Sequence, residues 1–240
     1  MYFDSLGYPV NQDLDGGDSA VRAGILATQG MFSLRRLRSY YSEGICRRHA
    51  SQVPWKNPRN FTRDQLLPLL AGMQTYGEFD SAKEIYLKHR GRLFFCQNFE
   101  RDFPGSTKYP WPHKVQDFDK LNPEGTKIAP KGSPSWKLFD FADPLFPNHI
   151  WCMARVARLK SQWLWALLGV PFFILEVLLH SLSCHKEQNQ MIAQCAILGP
   201  WAKVLFRMLC PQWEILSLKY WSERNELGYH EICKRLISIR

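Results

Sequence analysis

The chain has 240 residues, of which 45% are hydrophobic and 22% charged, and its formal net charge is +9 at pH 7. These values are ordinary for a folded protein with a substantial core and exclude a wholly disordered chain. The first ten residues, MYFDSLGYPV, lack a basic start and a long apolar run, so we expect no signal peptide.

An acidic loop, NQDLDGGDSAVR, leads into the first predicted helix. Its spacing matches the first half of a calcium loop, with Asn11, Asp13 and Asp15 as ligands, but Arg22 stands where such a loop needs a bidentate glutamate. Alternatively, Asp15 or Asp18 caps the helix, and Asp18 and Arg22 form an i,i+4 ion pair. The third interpretation is catalytic, with one of these aspartates supplying a carboxylate to a reacting pair.

The segment that follows is basic. Residues 31–63 contain eight lysines and arginines but only one acid, Glu43. Such a stretch with tyrosines can meet phosphate or an acidic polymer. We favour a solvated helix face, because the sequence contains no recognised nucleic-acid motif, and we expect no nucleic-acid partner.

The phrase NFTRDQLLPLLAGMQTYG predicts a helix with defined ends. Thr62 and Gln65 form a capping box, and Gly77 ends the helix in a left-handed conformation. Ser81 and Glu84 predict a second capping box that opens the next helix. Helices joined by so short a turn are expected to pack as an antiparallel αα-hairpin.

Proline, glycine and aromatic residues dominate an irregular segment, the aromatic loop, over residues 97–147. Loops of this length are usually functional or disordered, and the many aromatic residues favour an ordered loop. We therefore predict a single helical domain, with an N-terminal block at 1–96, the aromatic loop, and a C-terminal block at 148–240.

The C-terminal block contains the apolar run 163–175, which ends at Glu176. Because a membrane span needs about 20 residues, and Gly169 and Pro171 interrupt the run, we predict a buried core helix pair and no membrane partner. The alternative is membrane association through residues 163–182. The predicted helices cover about 150–165, 172–183, 188–198, 201–209, 212–225 and 229–237.

Seven cysteines are scattered along the chain without a C-x-x-C motif. An odd number in this pattern indicates reduced thiols in a cytoplasmic-type reducing compartment. His180 and Cys184 share a helix face with spacing that suits zinc, and His185 follows directly, but a second ligand cluster is missing. We expect no metal and no other cofactor.

The phrases DGGDSAVRAGI and NPRNFTRDQLLPLLAG, together with helix hairpins around one aromatic loop, resemble the (α/α) toroid carbohydrate-active proteins. The resemblance implies an all-α fold, in which paired helices form a ring and loops at one end build a cleft. At 240 residues the chain is short for a full ring. We therefore expect either a partial toroid or an irregular bundle.

By this analogy, we expect a cleft that binds a sugar or similar polar polymer, with acid–base hydrolysis or elimination if the protein is an enzyme. The predicted catalytic residues are Asp15, Asp18 and Asp64, and the predicted substrate-binding residues are Arg22, Arg63, Trp111 and Trp136. The alternative is a non-enzymatic structural or interaction protein of a larger assembly, with protein partners.

Overall fold

The computed structural model describes residues 1–11, 16–50, 61–91, 93, 94, 96, 144–182 and 189–238. These residues are mostly helical, which confirms the all-α class. The helices are α1 (Ser19–Thr28), α2 (Leu34–Leu37), α3 (Arg63–Tyr76), α4 (Phe79–Gly91), α5 (Pro147–Val156), α6 (Gln162–Leu182), α7 (Asn189–Leu198), α8 (Pro200–Leu209), α9 (Trp213–Glu223) and α10 (Leu227–Ile237). Two short antiparallel hairpins pair β1 (Tyr2–Phe3) with β2 (Pro9–Val10) and β3 (Tyr41–Ser42) with β4 (Ile45–Cys46).

The ends of α3 are where the sequence places them. The Thr62 N–H donates to Oε1 of Gln65 over 3.4 Å, which is the side-chain half of a capping box. At the other end, Gly77 adopts a φ of 73°, and the left-handed backbone stops the helix. Both end predictions for α3 are confirmed.

The start of α4 differs from its prediction. The Glu78 carbonyl accepts the Ala82 N–H, so helical hydrogen bonding begins immediately after the turn at Gly77. The predicted N-cap, Ser81, therefore lies inside the helix that begins at Phe79. The left-handed glycine turns the chain so sharply that no linker is needed before the next helix.

Helices α1 and α3 pack unusually closely at two glycines. A Cβ atom at Gly24 would lie 2.2 Å from the backbone carbon of Pro68, and one at Gly72 would lie 2.8 Å from Cβ of Ala27. Gly24 thus meets Pro68, and Ala27, which is further along α1, meets Gly72, which is further along α3. The two helices run parallel, so their N-terminal ends lie at the same end of the molecule.

The predicted core helix pair is wrong, since α6 is one continuous helix. The break that the sequence placed near Gly169 and Pro171 falls earlier, at Arg158, whose φ is 50°. Gly169 lies inside α6 because it packs on Trp151, with its Cβ position 3.0 Å from the indole. A glycine that reads as a helix breaker instead permits close packing between α5 and α6.

Burial of this apolar segment is also less than expected. On α6 only Gly169, Phe173 and Val177 are fully buried. Within the described residues, α6 is the single helix whose length and composition suit a membrane crossing, with a mean hydropathy of 1.8. Most of its large apolar side chains face away from the core.

The core is continuous between the N-terminal and C-terminal blocks. Helix α3 packs against α1 on one side and against α5 and α7 on another. Buried apolar side chains from both blocks belong to one cluster, including Leu66, Leu70, Ile150, Met191 and Tyr229. The buried thiols of Cys152, Cys195 and Cys233 lie in this cluster, where burial raises the pKa of each.

Candidate functional site

A cavity of about 510 Å³ opens at the end of the molecule where α1 and α3 begin. Its wall combines carboxylates, arginines, amides and aromatic rings, a composition suited to a polar ligand. The lining residues are Asn11, Asp18, Val21, Arg22, Arg63, Asp64, Phe146, Glu176, Leu179, His180, Asn189, Gln190, Tyr220, Trp221 and Arg224.

Asp18 occupies the N-cap position of α1, yet its carboxylate accepts no capping hydrogen bond from that helix. The side chain is exposed and lines the cavity. The interpretation of Asp18 as a side-chain cap is therefore wrong. Its carboxylate faces the ligand space, where it can accept a hydrogen bond or a proton.

Arg22 lies one helical turn further along α1 and is almost fully buried. Its guanidinium forms an ion pair and hydrogen bond with Glu226. It also lies 5.6 Å from the ring centroid of Trp221 and 5.2 Å from that of Tyr229. The partner of Arg22 is therefore Glu226, in place of the predicted i,i+4 partner Asp18.

Asp64 is in the first turn of α3, and its carboxylate is 68% exposed toward the cavity. Desolvation by the surrounding protein raises its pKa, and the negative charge of Asp18 raises it further, against the opposing effect of Arg63 and Arg48. Arg63 forms an ion pair with Asp64, with its Nε 4.0 Å from Oδ1. The Arg63 guanidinium also lies 5.4 Å from the ring centroid of Phe146.

Glu176 is a third carboxylate on the wall, and in the sequence it stands out only as the end of an apolar run. Its side chain is 14% exposed. It accepts hydrogen bonds from Gln194 at 3.0 Å and from Nε2 of His149 at 3.1 Å, and further bonds from Asn148 and Gln190. Desolvation raises the pKa of Glu176, but these donors outweigh it and lower the pKa to about 2.

The orientation of His149 explains how it supports Glu176. The Phe146 N–H donates to Nδ1 of His149 over 3.2 Å. Because Nδ1 accepts a hydrogen bond, the ring proton is assigned to Nε2, which faces Glu176. The Nε2–H group of His149 thus points at the Glu176 carboxylate and helps to hold it in place.

Helix α9 supplies an aromatic side to the cavity that was not predicted from the sequence. Tyr220 and Trp221 are buried neighbours with ring centroids 4.9 Å apart. Arg224 lies over Tyr220, with its guanidinium carbon 3.9 Å from the ring centroid. The two buried rings and Arg224 form a mixed apolar and polar side of the cavity.

A sequence signal for Glu176 was available. It is the one charged residue between 162 and 182, and a charge in an apolar helix is stable only when other groups pair with it. That reasoning points to polar partners on neighbouring helices. It does not identify the partners, because no pattern in the sequence distinguishes Asn148, Gln190 and Gln194 from other polar residues.

Several predicted residues lie outside the described residues: Asp13, Asp15, Trp111, Trp136, Cys184, His185 and the aromatic loop from 97 to 143. Of the predicted calcium ligands, only Asn11 is among the described residues, and it lines the cavity. Of the predicted zinc ligands, only His180 is described, and its Nε2 lies 3.8 Å from Glu176. Among the residues that the structure describes, no group of three metal-ligating side chains occurs.

The fold and the cavity together define a helical protein with a polar cleft that contains several carboxylates. Comparison of the chain with known proteins finds no matching family, no matching curated protein and no matching solved structure. The chemistry of the cavity is therefore the basis for functional inference. The cavity brings together four residues of the predicted site, Asp18, Arg22, Arg63 and Asp64, and its wall also includes Glu176.

Proposed function

We propose that the protein binds a sugar or similar polar polymer in this cavity and acts on it as a glycoside hydrolase or lyase. The observation that carries the proposal is that Asp18 and Asp64, from two different helix starts, line one cavity. Paired carboxylates across a cleft are the machinery that hydrolysis of a glycosidic bond requires.

The environments of the carboxylates assign their roles. A general acid must hold a proton at the working pH, which favours a carboxyl with a raised pKa. Desolvation raises the pKa of Asp64, so we assign it as the acid, with Asp18 as the base or nucleophile. The low pKa of Glu176 makes it unsuited to donate a proton, and we assign it to ligand hydroxyl groups.

The rest of the wall supports a hydroxyl-rich ligand. The exposed ring of Phe146 offers an apolar face to a sugar ring. Asn189 and Gln190 carry amides that donate and accept hydrogen bonds. Arg63 adds positive charge beside Asp64. Asp15, Trp111 and Trp136 stay in the proposal as sequence-based predictions, and acid–base chemistry of this kind needs no cofactor.

The toroid-like arrangement of helix hairpins is likewise a proposal. What supports it is a mostly helical body with a cavity at one end, where α1 and α3 begin. In such a ring, helix starts at one rim supply the polar groups of the cleft. An irregular bundle with one polar end accounts for the same contacts.

The experiment is a screen of the full chain against soluble oligosaccharides and polysaccharides, with release of reducing ends and of unsaturated products as the readouts. We expect one class of substrate to be cleaved, and Asp64→Asn and Asp18→Asn each to lower kcat by about a hundredfold or more. The matched control is Asp80→Asn, since Asp80 occupies the first turn of α4 but does not line the cavity. Equal rates for all three variants would refute the assignment.

A non-enzymatic role in a larger assembly is the second candidate, and the exposed apolar surface of α6 favours it. In that case the cavity carboxylates would take no part in catalysis. Saccharide binding without turnover, measured by calorimetry and abolished by Asp64→Asn, would support a binding protein. Absence of any saccharide binding would remove both the enzyme and the binding proposals for this cavity.

A further inference from the structure

A second cavity, of about 340 Å³, opens where α1 and α3 end. The two helices run parallel, and the first cavity lies at their starts. Helix α3 spans 14 residues, so at 1.5 Å per residue roughly 20 Å separate the two cavities. Among the described residues, the walls of the two cavities share none, so the second cavity is a separate compartment.

Two basic side chains from different helices line the second cavity. Lys203 lies on α8, and Arg235 lies in the last turn of α10. The Lys203 ammonium donates to the Ser238 carbonyl oxygen over 3.4 Å, which uses one of its N–H groups and leaves the others. Arg235 is exposed, and the ion pairs of the described residues do not include it. Two cations on one wall attract an anion.

The acids near this end of the molecule lie outside the second cavity. Glu231, one turn before the arginine of α10, is exposed and is not part of the described wall. Glu214 on α9 pairs with Lys234, and Glu78, just past the end of α3, pairs with Arg38. The described wall of the second cavity therefore carries positive charge and no carboxylate.

The hydroxyl groups of Thr28 and Thr75, which also line the second cavity, are hydrogen-bond acceptors for a ligand. Oγ1 of Thr28 donates to the Ile25 carbonyl oxygen at 2.6 Å, and Oγ1 of Thr75 donates to that of Ala71 at 3.2 Å. Each hydroxyl hydrogen is thereby used within its own helix, and the lone pairs of the oxygen remain. The carbonyl ends of α1 and α3 add further acceptors. A fitting ligand therefore needs hydrogen-bond donors beside its anionic group, and hydroxyl groups supply them.

We propose that the second cavity binds a small hydroxylated anion, in the class of phosphate monoesters of sugars and polyols. Lys203 and Arg235 bind the phosphate, and Thr28 and Thr75 accept hydrogen bonds from the hydroxyl groups. A phosphate monoester carries a charge of about −1.5 to −2 at pH 7, which matches two cations. The described wall holds no carboxylate, histidine or thiol, so we assign the second cavity to binding and not to a reaction.

The test is isothermal titration calorimetry of the purified full chain with glycerol 3-phosphate, inorganic phosphate and glycerol. We expect glycerol 3-phosphate to bind saturably, inorganic phosphate to bind more weakly, and glycerol not to bind. Lys203→Met and Arg235→Met should each lower the affinity for glycerol 3-phosphate by about tenfold, because each removes one charged hydrogen-bond donor. Thr75→Val should weaken binding of glycerol 3-phosphate and leave the affinity for inorganic phosphate unchanged.

Lys83→Met with Arg90→Met is the matched control for Lys203→Met with Arg235→Met. Lys83 and Arg90 are exposed on α4 and do not line the second cavity, so the control removes the same charges from another surface. The control should leave the affinity for glycerol 3-phosphate unchanged, whereas the cavity variant should lower it by about a hundredfold. Circular dichroism checks that both double variants are folded.

Absence of saturable binding of glycerol 3-phosphate to the wild-type chain would overturn the proposal. So would an unchanged affinity in the cavity variant, or an equal loss in the two double variants, because the ligand would then lie elsewhere or respond to net charge alone. Equal affinities for glycerol 3-phosphate and inorganic phosphate would overturn the assignment to a hydroxylated ligand. The proposal is independent of the first cavity, since Asp64→Asn should bind glycerol 3-phosphate as the wild type does.

Discussion

The side-chain amide of Gln65 donates a hydrogen bond of 2.8 Å to the carbonyl oxygen of Gly17. The same side chain accepts the Thr62 N–H through its Oε1. One buried residue thus caps α3 and ties its start to the start of α1. This link places Asp18, next to Gly17, and Asp64, next to Gln65, at the same cavity.

Replacement of Gln65 by alanine should therefore destabilise the protein. The substitution leaves the Gly17 carbonyl buried without this donor and removes part of the α3 cap. We expect a loss of about 2 kcal/mol in the free energy of unfolding, measured by urea denaturation. Gln29→Ala, at an exposed position at the end of α1, should change stability little. An equal loss in both variants would contradict the structural role of Gln65.

Gly24→Ala should be one of the most damaging small substitutions in the chain. The new methyl would meet the backbone carbon and oxygen of Pro68 at 2.2 Å, and a backbone cannot rotate away as a side chain can. We expect a loss of about 3 kcal/mol or separation of α1 from α3. Thermal denaturation measures it, with Gly91→Ala as the control because, among the described residues, no atom outside its own helix and its chain neighbours lies within 4 Å of its Cβ position.

The buried pair of Arg22 and Glu226 should show strong coupling. Glu226→Leu leaves a buried guanidinium without its carboxylate, which should cost about 4 kcal/mol. Arg22→Met with Glu226→Leu should cost less than Glu226→Leu alone, because no charge is left unpaired. A double-mutant cycle measures the difference. Arg38, whose side chain is 60% exposed, offers a contrast, since water replaces its partner Glu78 when the pair is broken.

Acid should weaken the protein through Glu176. Its folded-state pKa of about 2 lies below the ordinary value of 4.5. The stabilisation from its hydrogen-bond donors is therefore complete above about pH 4.5 and is lost as the pH falls toward 2. Roughly 3 kcal/mol is at stake in the free energy of unfolding.

Denaturation curves taken across this pH window in wild type and Glu176→Gln provide the measurement. The variant should be less stable at neutral pH and should show a shallower decline between pH 4.5 and 2. Glu223→Gln, at an exposed position on α9, should follow the wild-type curve. A decline of equal steepness in wild type and Glu176→Gln would assign the acid sensitivity to other groups.

The Asp64 carboxyl should titrate above an ordinary aspartate. Desolvation and the neighbouring charge of Asp18 both raise its pKa, whereas Arg63 lowers it. Asp18→Asn should therefore lower the pKa of Asp64, and Arg63→Gln should raise it further. Carbon NMR of the side-chain carboxyl follows the titration, with Asp80→Asn as the control. An unchanged pKa of Asp64 in both variants would show that the two side chains lie farther from Asp64 than the structure places them.

The sequence by itself determined the helical class and many of the helix ends, because these depend on neighbouring residues. The capping box of Thr62 and Gln65 and the left-handed Gly77 are local features. The same holds for the polar starts of α1 and α3, from which Asp18 and Asp64 were selected. Their assignment as a pair came from analogy with ring-shaped folds and not from the residues.

Only the tertiary structure decided which groups meet, because those contacts join residues far apart in the chain. Arg22 finds Glu226 across nearly the full length of the sequence. In the sequence, Glu176 only interrupts an apolar run. In the structure, its carboxylate accepts hydrogen bonds from side chains of α5 and α7. The parallel packing of α1 and α3 depends on the missing side chain of Gly24, and that close approach aligns the two helix starts at one cavity.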